Sequence, residues 1–62
     1  MSKKSNGLLK LEEEIKFIDE QIEFLNENYE DDEIVYLFTK KEIIKDLTEK
    51  KNFTQELINS LL

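Results

Sequence analysis

The stretch EIVYLFTKKE, residues 33–42, decides between the folds that this chain can adopt. Five apolar residues run without a break from Ile34, and a helix that is apolar on every side must be covered on more than one side. The same run is rich in β-branched and aromatic residues, which is typical of a strand. Thr39 and Glu42 have the spacing of a capping box, which favours a helix that begins only after Thr39.

The clearest periodicity precedes this stretch, in residues 8–29. The apolar residues there alternate at intervals of three and four, which places them at the a and d positions of three heptads on one helix face. They are Leu8, Leu11, Ile15, Ile18, Ile22, Leu25 and Tyr29. Ser5 or Asn6 can cap the start of such a helix. We therefore predict a helix over residues 8–29, preceded by a flexible N-terminal segment, residues 1–7.

A looser apolar stripe fills the second half of the chain. Its members are Tyr36, Leu37, Ile43, Ile44, Leu47, Thr54, Leu57, Ile58 and Leu61. Asp31 or Asp32 is a natural N-cap, so we predict a second helix over residues 33–61. The sequence thus predicts an all-α fold, in which an antiparallel helical hairpin with an acidic corner forms a single domain over residues 8–62.

Folding the chain at that corner aligns the two predicted helices. Tyr36 and Leu37 would then face the first helix, and Ile18 would lie beside Ile44. The second helix would extend on the order of 10 Å beyond the first, because each helical residue adds about 1.5 Å. Nothing else in the chain covers this overhang, which favours a partner chain.

Two alternatives remain open. A strand at residues 34–38 followed by two short helices would give a ribbon-helix-helix layout. The strand of that family is normally basic, whereas this one follows four acidic residues. Separately, Asn52 and Gln55 have capping spacing, so the second helix could break there and leave a third helix over residues 53–61.

Several large apolar residues lie outside the predicted contact between the helices. Phe17 and Phe24 occupy c positions of the first helix, and other residues fall on the apolar run or the overhang. The predicted interface is therefore Phe17, Phe24, Ile34, Phe38, Leu57, Ile58 and Leu61. Uncovered apolar surfaces of this kind mark contacts with other proteins. We expect a homodimer that forms a four-helix bundle, and a further protein partner.

Composition excludes several classes of function. The 62 residues include no His, Cys or Arg, and the net charge is −6. Zinc ligands and the usual acid/base group are therefore missing, and we predict no enzyme, no cofactor and no metal site. An acidic chain without a basic patch is not expected to bind nucleic acid. The longest apolar run is too short to cross a membrane, so we expect a soluble cytoplasmic protein.

These observations predict a non-enzymatic regulatory or adaptor module that self-associates and binds another protein. The alternative is an acidic inhibitor, similar to an antitoxin, that occupies a basic site on a target protein. Its binding face would be the row of carboxylates that recurs every seven residues on the first helix, Glu13, Glu20 and Glu27. Salt would weaken such a complex steeply, whereas an apolar contact would be less sensitive.

One short segment resembles a known signature. Residues 54–57, Thr-Gln-Glu-Leu, are similar to part of the S-Q-E-L-D signature of the small helical-hairpin aspartyl-phosphate phosphatases that act on sporulation regulators. The resemblance implies a hairpin of similar size, in which Gln55 and Glu56 would be functional. Ile58 stands where the signature has its acidic residue, and more than twenty residues separate Asp32 from Gln55.

Overall fold

The structure is a computed structural model that describes residues 6–62. Helix α1 spans Asn6–Asn28 and helix α2 spans Lys40–Leu61, and the two helices pack against each other. Between them lie two short strands, β1 at Ile34–Val35 and β2 at Phe38–Thr39, which pair antiparallel. The predicted helical hairpin is therefore confirmed, with a small β-hairpin at its corner.

The heptad pattern predicted the buried face of α1. Leu8, Ile18 and Leu25 are buried, and the other a and d residues, Leu11, Ile15, Ile22 and Tyr29, are half-buried. Opposite them, α2 buries Thr54 and Ile58 and half-buries Ile44, Leu47 and Lys51. We call this contact between the helices the seam.

The predicted start of the second helix at residue 33 is wrong, because α2 begins at Lys40. Thr39 is its N-cap, in place of the predicted Asp31 or Asp32. The Thr39 hydroxyl accepts a hydrogen bond from the Glu42 backbone N–H at 3.2 Å, and the Glu42 carboxylate accepts one from the Thr39 N–H at 3.4 Å. This capping box satisfies two backbone donors that would otherwise have no partner.

The apolar run forms the β-hairpin instead of a helical turn. Ile34 pairs with Thr39 and Val35 pairs with Phe38, which leaves Tyr36 and Leu37 as a two-residue turn. Tyr36 has φ 64°, in the left-handed region that such turns require and that Asn or Gly normally occupies. The two turn side chains are 94% and 87% exposed, so the prediction that they face the first helix is wrong.

The β-hairpin also changes how the helices align. It takes up the residues that were expected to extend α2, so α1 has 23 residues, α2 has 22, and neither overhangs the other. An ion pair of 2.6 Å joins Asp19 to Lys51 and marks the level at which the two helices meet. Relative to the predicted alignment of Ile18 with Ile44, α2 is therefore shifted by about two turns. Helix α2 runs unbroken through Asn52, which excludes both the third helix and the ribbon-helix-helix layout.

The predicted flexible segment, residues 1–7, falls mostly on residues that the structure does not describe. Ser5, one of the two predicted caps of α1, lies outside the described residues. Asn6 and Gly7 already belong to the helix.

Candidate interaction surface

The fold leaves many large apolar side chains exposed, both on the helices and at the corner. Among residues 6–62, four apolar side chains are buried, namely Leu8, Ile18, Leu25 and Ile58, whereas eleven large ones are exposed. A domain of this length has marginal stability even when its core is well filled. The exposed side chains are therefore the feature of this molecule that a function must explain.

The residues predicted as an interface divide into two groups. Six of them are at least 41% exposed: Phe17, Phe24, Ile34, Phe38, Leu57 and Leu61. Ile58 is only 5% exposed, so it belongs to the seam and not to the surface where it was predicted. The reason is the shifted alignment, which brings this part of α2 opposite α1 instead of beyond its end.

The seam residues of α2 follow the same three-four spacing, counted from Lys40, as those of α1. With that register Leu57 and Ile43 occupy g positions and Phe53 occupies a c position. On α1, Gln21 occupies a g position, and Phe17 and Phe24 occupy c positions. Because two antiparallel helices bring their g positions to the same side of the pair, these residues share one side. We call Phe17, Phe24, Phe53 and Leu57 the Phe face.

The Phe face brings together residues that were predicted and one that was missed. Phe53 is 62% exposed, beside 59% for Phe17 and 54% for Phe24. Phe17 lies two residues before Asp19, and Phe53 lies two residues after Lys51. Because the helices run in opposite directions and Asp19 pairs with Lys51, both rings lie at the same level along the hairpin. The sequence signal for Phe53 was its c position relative to the apolar stripe of α2.

A half-open groove of about 360 Å³ continues the Phe face at the corner. We call it the corner groove, and its lining residues are Gln21, Phe24, Leu25, Tyr29, Val35, Tyr36, Ile43 and Leu47. The rings of Phe24 and Tyr29 meet edge to face, with centroids 6.4 Å apart and planes at 66°. The volume and the apolar lining are typical of a site that accepts apolar side chains or a small ligand.

The other predicted corner residues lie apart from each other. Ile34 and Phe38 belong to neighbouring cross-strand pairs, and side chains of neighbouring pairs point to opposite faces of a hairpin. Phe38 pairs with Val35, which lines the corner groove, so Phe38 is on the groove side and Ile34 is on the other. The structure therefore does not bring Ile34 to the Phe face.

The acidic corner has a structural role. The backbone N–H of Glu33 donates to the Glu30 carbonyl at 3.0 Å, and the Glu33 carboxylate accepts from the Glu30 N–H at 3.0 Å. The Lys41 N–H donates to the Asp31 carbonyl at 3.1 Å, and the Lys40 ammonium lies 3.3 Å from the Asp31 carboxylate. The Lys40 side chain is only 8% exposed, so this lysine fixes the corner to the start of α2.

The remaining predicted side chains lie on solvated positions. Glu13, Glu20 and Glu27 are all exposed at f positions of α1, on the side opposite the seam. Gln55 and Glu56, which the phosphatase resemblance would make functional, are also exposed. The Gln55 amide donates to the Asn59 side chain at 3.2 Å, one helical turn along α2. This is an ordinary contact on a helix surface.

Within residues 6–62, no three acidic side chains are grouped as a metal site would require. Neither helix of that part of the chain has the length and apolar character needed to cross a membrane. Comparison of the chain with protein-family models, with curated proteins and with solved structures finds no match.

Proposed function

We propose that this chain is a non-enzymatic protein-interaction module that self-associates through the Phe face, so that two hairpins form a four-helix bundle. The observation that carries the proposal is the Phe face itself. Phe17, Phe24 and Phe53 are each more than half exposed on one side of a hairpin whose core holds four buried apolar side chains. Apolar patches of this kind mark contacts between proteins.

The energetics of the rings agree with this proposal. Each ring is a little more than half exposed, so covering the exposed part contributes about 1–2 kcal/mol. Six rings in a dimer would contribute roughly 6–12 kcal/mol, which is comparable with the cost of association, about 4–15 kcal/mol. The Phe face can therefore supply a large part of the free energy that holds two copies together.

The experiment is a series of thermal melts followed by circular dichroism over a wide range of protein concentration. If folding is coupled to self-association, the melting temperature rises with concentration, because mass action favours the assembled state. A melting temperature that stays constant over this range, with full helicity at every concentration, contradicts self-association.

A second candidate is the acidic inhibitor, which would bind a basic site on a target through α1. It is supported by the row of exposed carboxylates, Glu13, Glu20 and Glu27, on the side of α1 that the hairpin leaves open. A pull-down with the unmodified chain and with the triple Glu-to-Gln variant separates the two candidates. If the chain is an acidic inhibitor, the triple variant and high salt should each abolish binding of the target. If it is a self-associating module, its self-association should persist in the triple variant and at high salt.

A further inference from the structure

Resting on the self-association proposed above, we infer that the two hairpins pack antiparallel, so that the partner's Leu61 fills the corner groove. The groove would then be a site completed by the second copy and not an open pocket. Three features of the molecule lead to this arrangement: the distribution of charge along the hairpin, the level of each apolar side chain, and the composition of the groove.

Charge is concentrated in the half of the hairpin that contains the corner. Residues 20–50 carry ten acidic residues and four lysines, a net charge of −6. The other described residues, 6–19 and 51–62, carry five acidic residues and three lysines, a net charge of −2. A parallel dimer would bring the two −6 halves side by side. An antiparallel dimer places each −6 half against a −2 half, which reduces the like-charge repulsion.

The levels of the apolar side chains fit an antiparallel arrangement. Phe17 is the middle residue of α1, and Phe53 lies at the same level on α2. In an antiparallel dimer, a two-fold axis perpendicular to the hairpin passes through this level and places the open end of one copy beside the corner of the other. Phe24 lies seven residues from Phe17 toward the corner, and Leu61 lies eight residues from Phe53 toward the open end. The axis therefore brings the partner's Leu61 to within about 2 Å of the level of Phe24 along the rod.

The corner groove suits a leucine side chain. Its lining is apolar apart from Gln21 and the tyrosine hydroxyls, and its volume is about 360 Å³. Leu61 lies at the last seam position of α2 and is 59% exposed, and Leu57, one turn earlier at the adjoining g position, is 41% exposed. Two leucines one turn apart can enter a groove between helices as successive anchors.

The first test uses cross-linking of single cysteines, since the chain has none of its own. Gln21→Cys places a thiol at the edge of the corner groove, and Ser60→Cys places one beside Leu61; both positions are exposed. In the antiparallel dimer, position 21 and the partner's position 60 differ by about 5 Å along the rod. Two copies of position 21 differ by about 12 Å and two copies of position 60 by about 21 Å.

An equimolar mixture of the two variants is treated with a short bis-maleimide, and each variant alone is the control. We expect the mixed 21–60 product as the main cross-link. Either variant treated alone should give little covalent dimer. Cross-links of 21 to 21 and 60 to 60, without the mixed product, overturn the antiparallel arrangement while self-association stands. Absence of every cross-link, together with a melting temperature independent of concentration, removes self-association itself.

A second test measures the contribution of Leu61 with a matched control. Leu61→Ala should raise the dimer dissociation constant about 100-fold, because two leucine side chains leave the interface of each dimer. Leu9 also lies near the open end and is 43% exposed, but its b position puts it on the other side of the hairpin. Leu9→Ala should leave the dissociation constant unchanged. Two results would overturn the proposal. Both substitutions could change the dissociation constant equally, or Leu61→Ala could leave it unchanged in a chain of normal helicity.

Discussion

The two sides of the hairpin differ in what they contribute. One side carries the Phe face, whose three rings are each more than half exposed. The opposite side carries polar e positions and the Asp19–Lys51 ion pair, in which the two side chains are 50% and 36% exposed. A solvated pair of this kind contributes only about 0–1 kcal/mol. The comparison teaches that the exposed rings of the two helices are clustered on one side, whereas on the other side Leu9 is the one exposed large apolar residue of these helices.

A cluster of rings on one side also limits the kind of assembly that we propose. When one patch pairs with the same patch on a second copy, the contact is isologous and the assembly closes as a dimer. A hairpin with apolar surface on both sides would instead continue to add copies. The contrast between the two sides therefore favours a closed four-helix bundle over a filament or a large aggregate.

The largest expected effect separates the seam from the Phe face. Ile18 is 2% exposed and its neighbour Phe17 is 59% exposed. Ile18→Asp places an unpaired charge in the seam and should unfold the chain, with a loss of more than about 4 kcal/mol. Phe17→Asp should leave the hairpin helical at high protein concentration. The two adjacent variants are compared by circular dichroism, and equal loss of helicity would show that seam and surface are not separate.

Removing two rings of the Phe face should have the next largest effect. Phe17→Ser with Phe53→Ser should raise the dimer dissociation constant by at least about three decades, since each 1.4 kcal/mol is tenfold. Asp19→Asn, on the polar side, is the matched control and should change it little. Sedimentation velocity over a dilution series gives both constants. Similar constants for the double variant and the control would mean that the Phe face is not the contact.

Loss of the N-cap of α2 should lower the stability of the chain by a smaller amount. The cap belongs neither to the Phe face nor to the polar side. Thr39→Ala removes the acceptor of the Glu42 N–H and should lower the free energy of unfolding by about 1 kcal/mol. Thr48→Ala, at an exposed position inside α2, is the control. Urea denaturation at one fixed protein concentration measures the free energy of unfolding of both variants. A larger loss at Thr48 than at Thr39 would contradict the start of α2 at Lys40.

The smallest expected effect is a gain in stability at the corner. Tyr36 has φ 64°, a conformation that disfavours most L-residues by about 1–2 kcal/mol and that Asn tolerates. Tyr36→Asn should therefore stabilise the chain by up to about 1 kcal/mol. Leu37→Asn, at the neighbouring turn residue without a positive φ, should give no such gain. The difference between their urea midpoints measures the strain, and a lower midpoint for Tyr36→Asn would contradict it.

The parts of the fold that the sequence predicted are those with a long periodic signal. The three heptads of α1 determine its buried face, because only one helix orientation covers Leu8, Ile18 and Leu25 together. The corner had no such signal. A run of five apolar residues is compatible with a helix and with a strand, and the choice came from two short-range features. These are the capping box at Thr39 and the two-residue turn at Tyr36 and Leu37.

The candidate surface was predicted in part for the same reason. Phe17 and Phe24 could be assigned because the register of α1 was known from its heptads. Phe53 was not assigned to a surface, although the predicted apolar stripe places it at a c position. Ile58 was expected to extend beyond α1, because the predicted helix began at residue 33. The later start at Lys40 shifts α2 along α1 and brings Ile58 into the seam. An error at one helix boundary therefore became an error in the alignment of the two helices.

The most direct test of the central claim is the mass of the unmodified chain in solution, by sedimentation equilibrium at low micromolar concentration. We predict the mass of two chains of 7.5 kDa, shifting toward one chain in the Phe17→Ser, Phe53→Ser variant. A single-chain mass for the unmodified protein, with the helicity of both helices intact at that concentration, would contradict self-association through the Phe face.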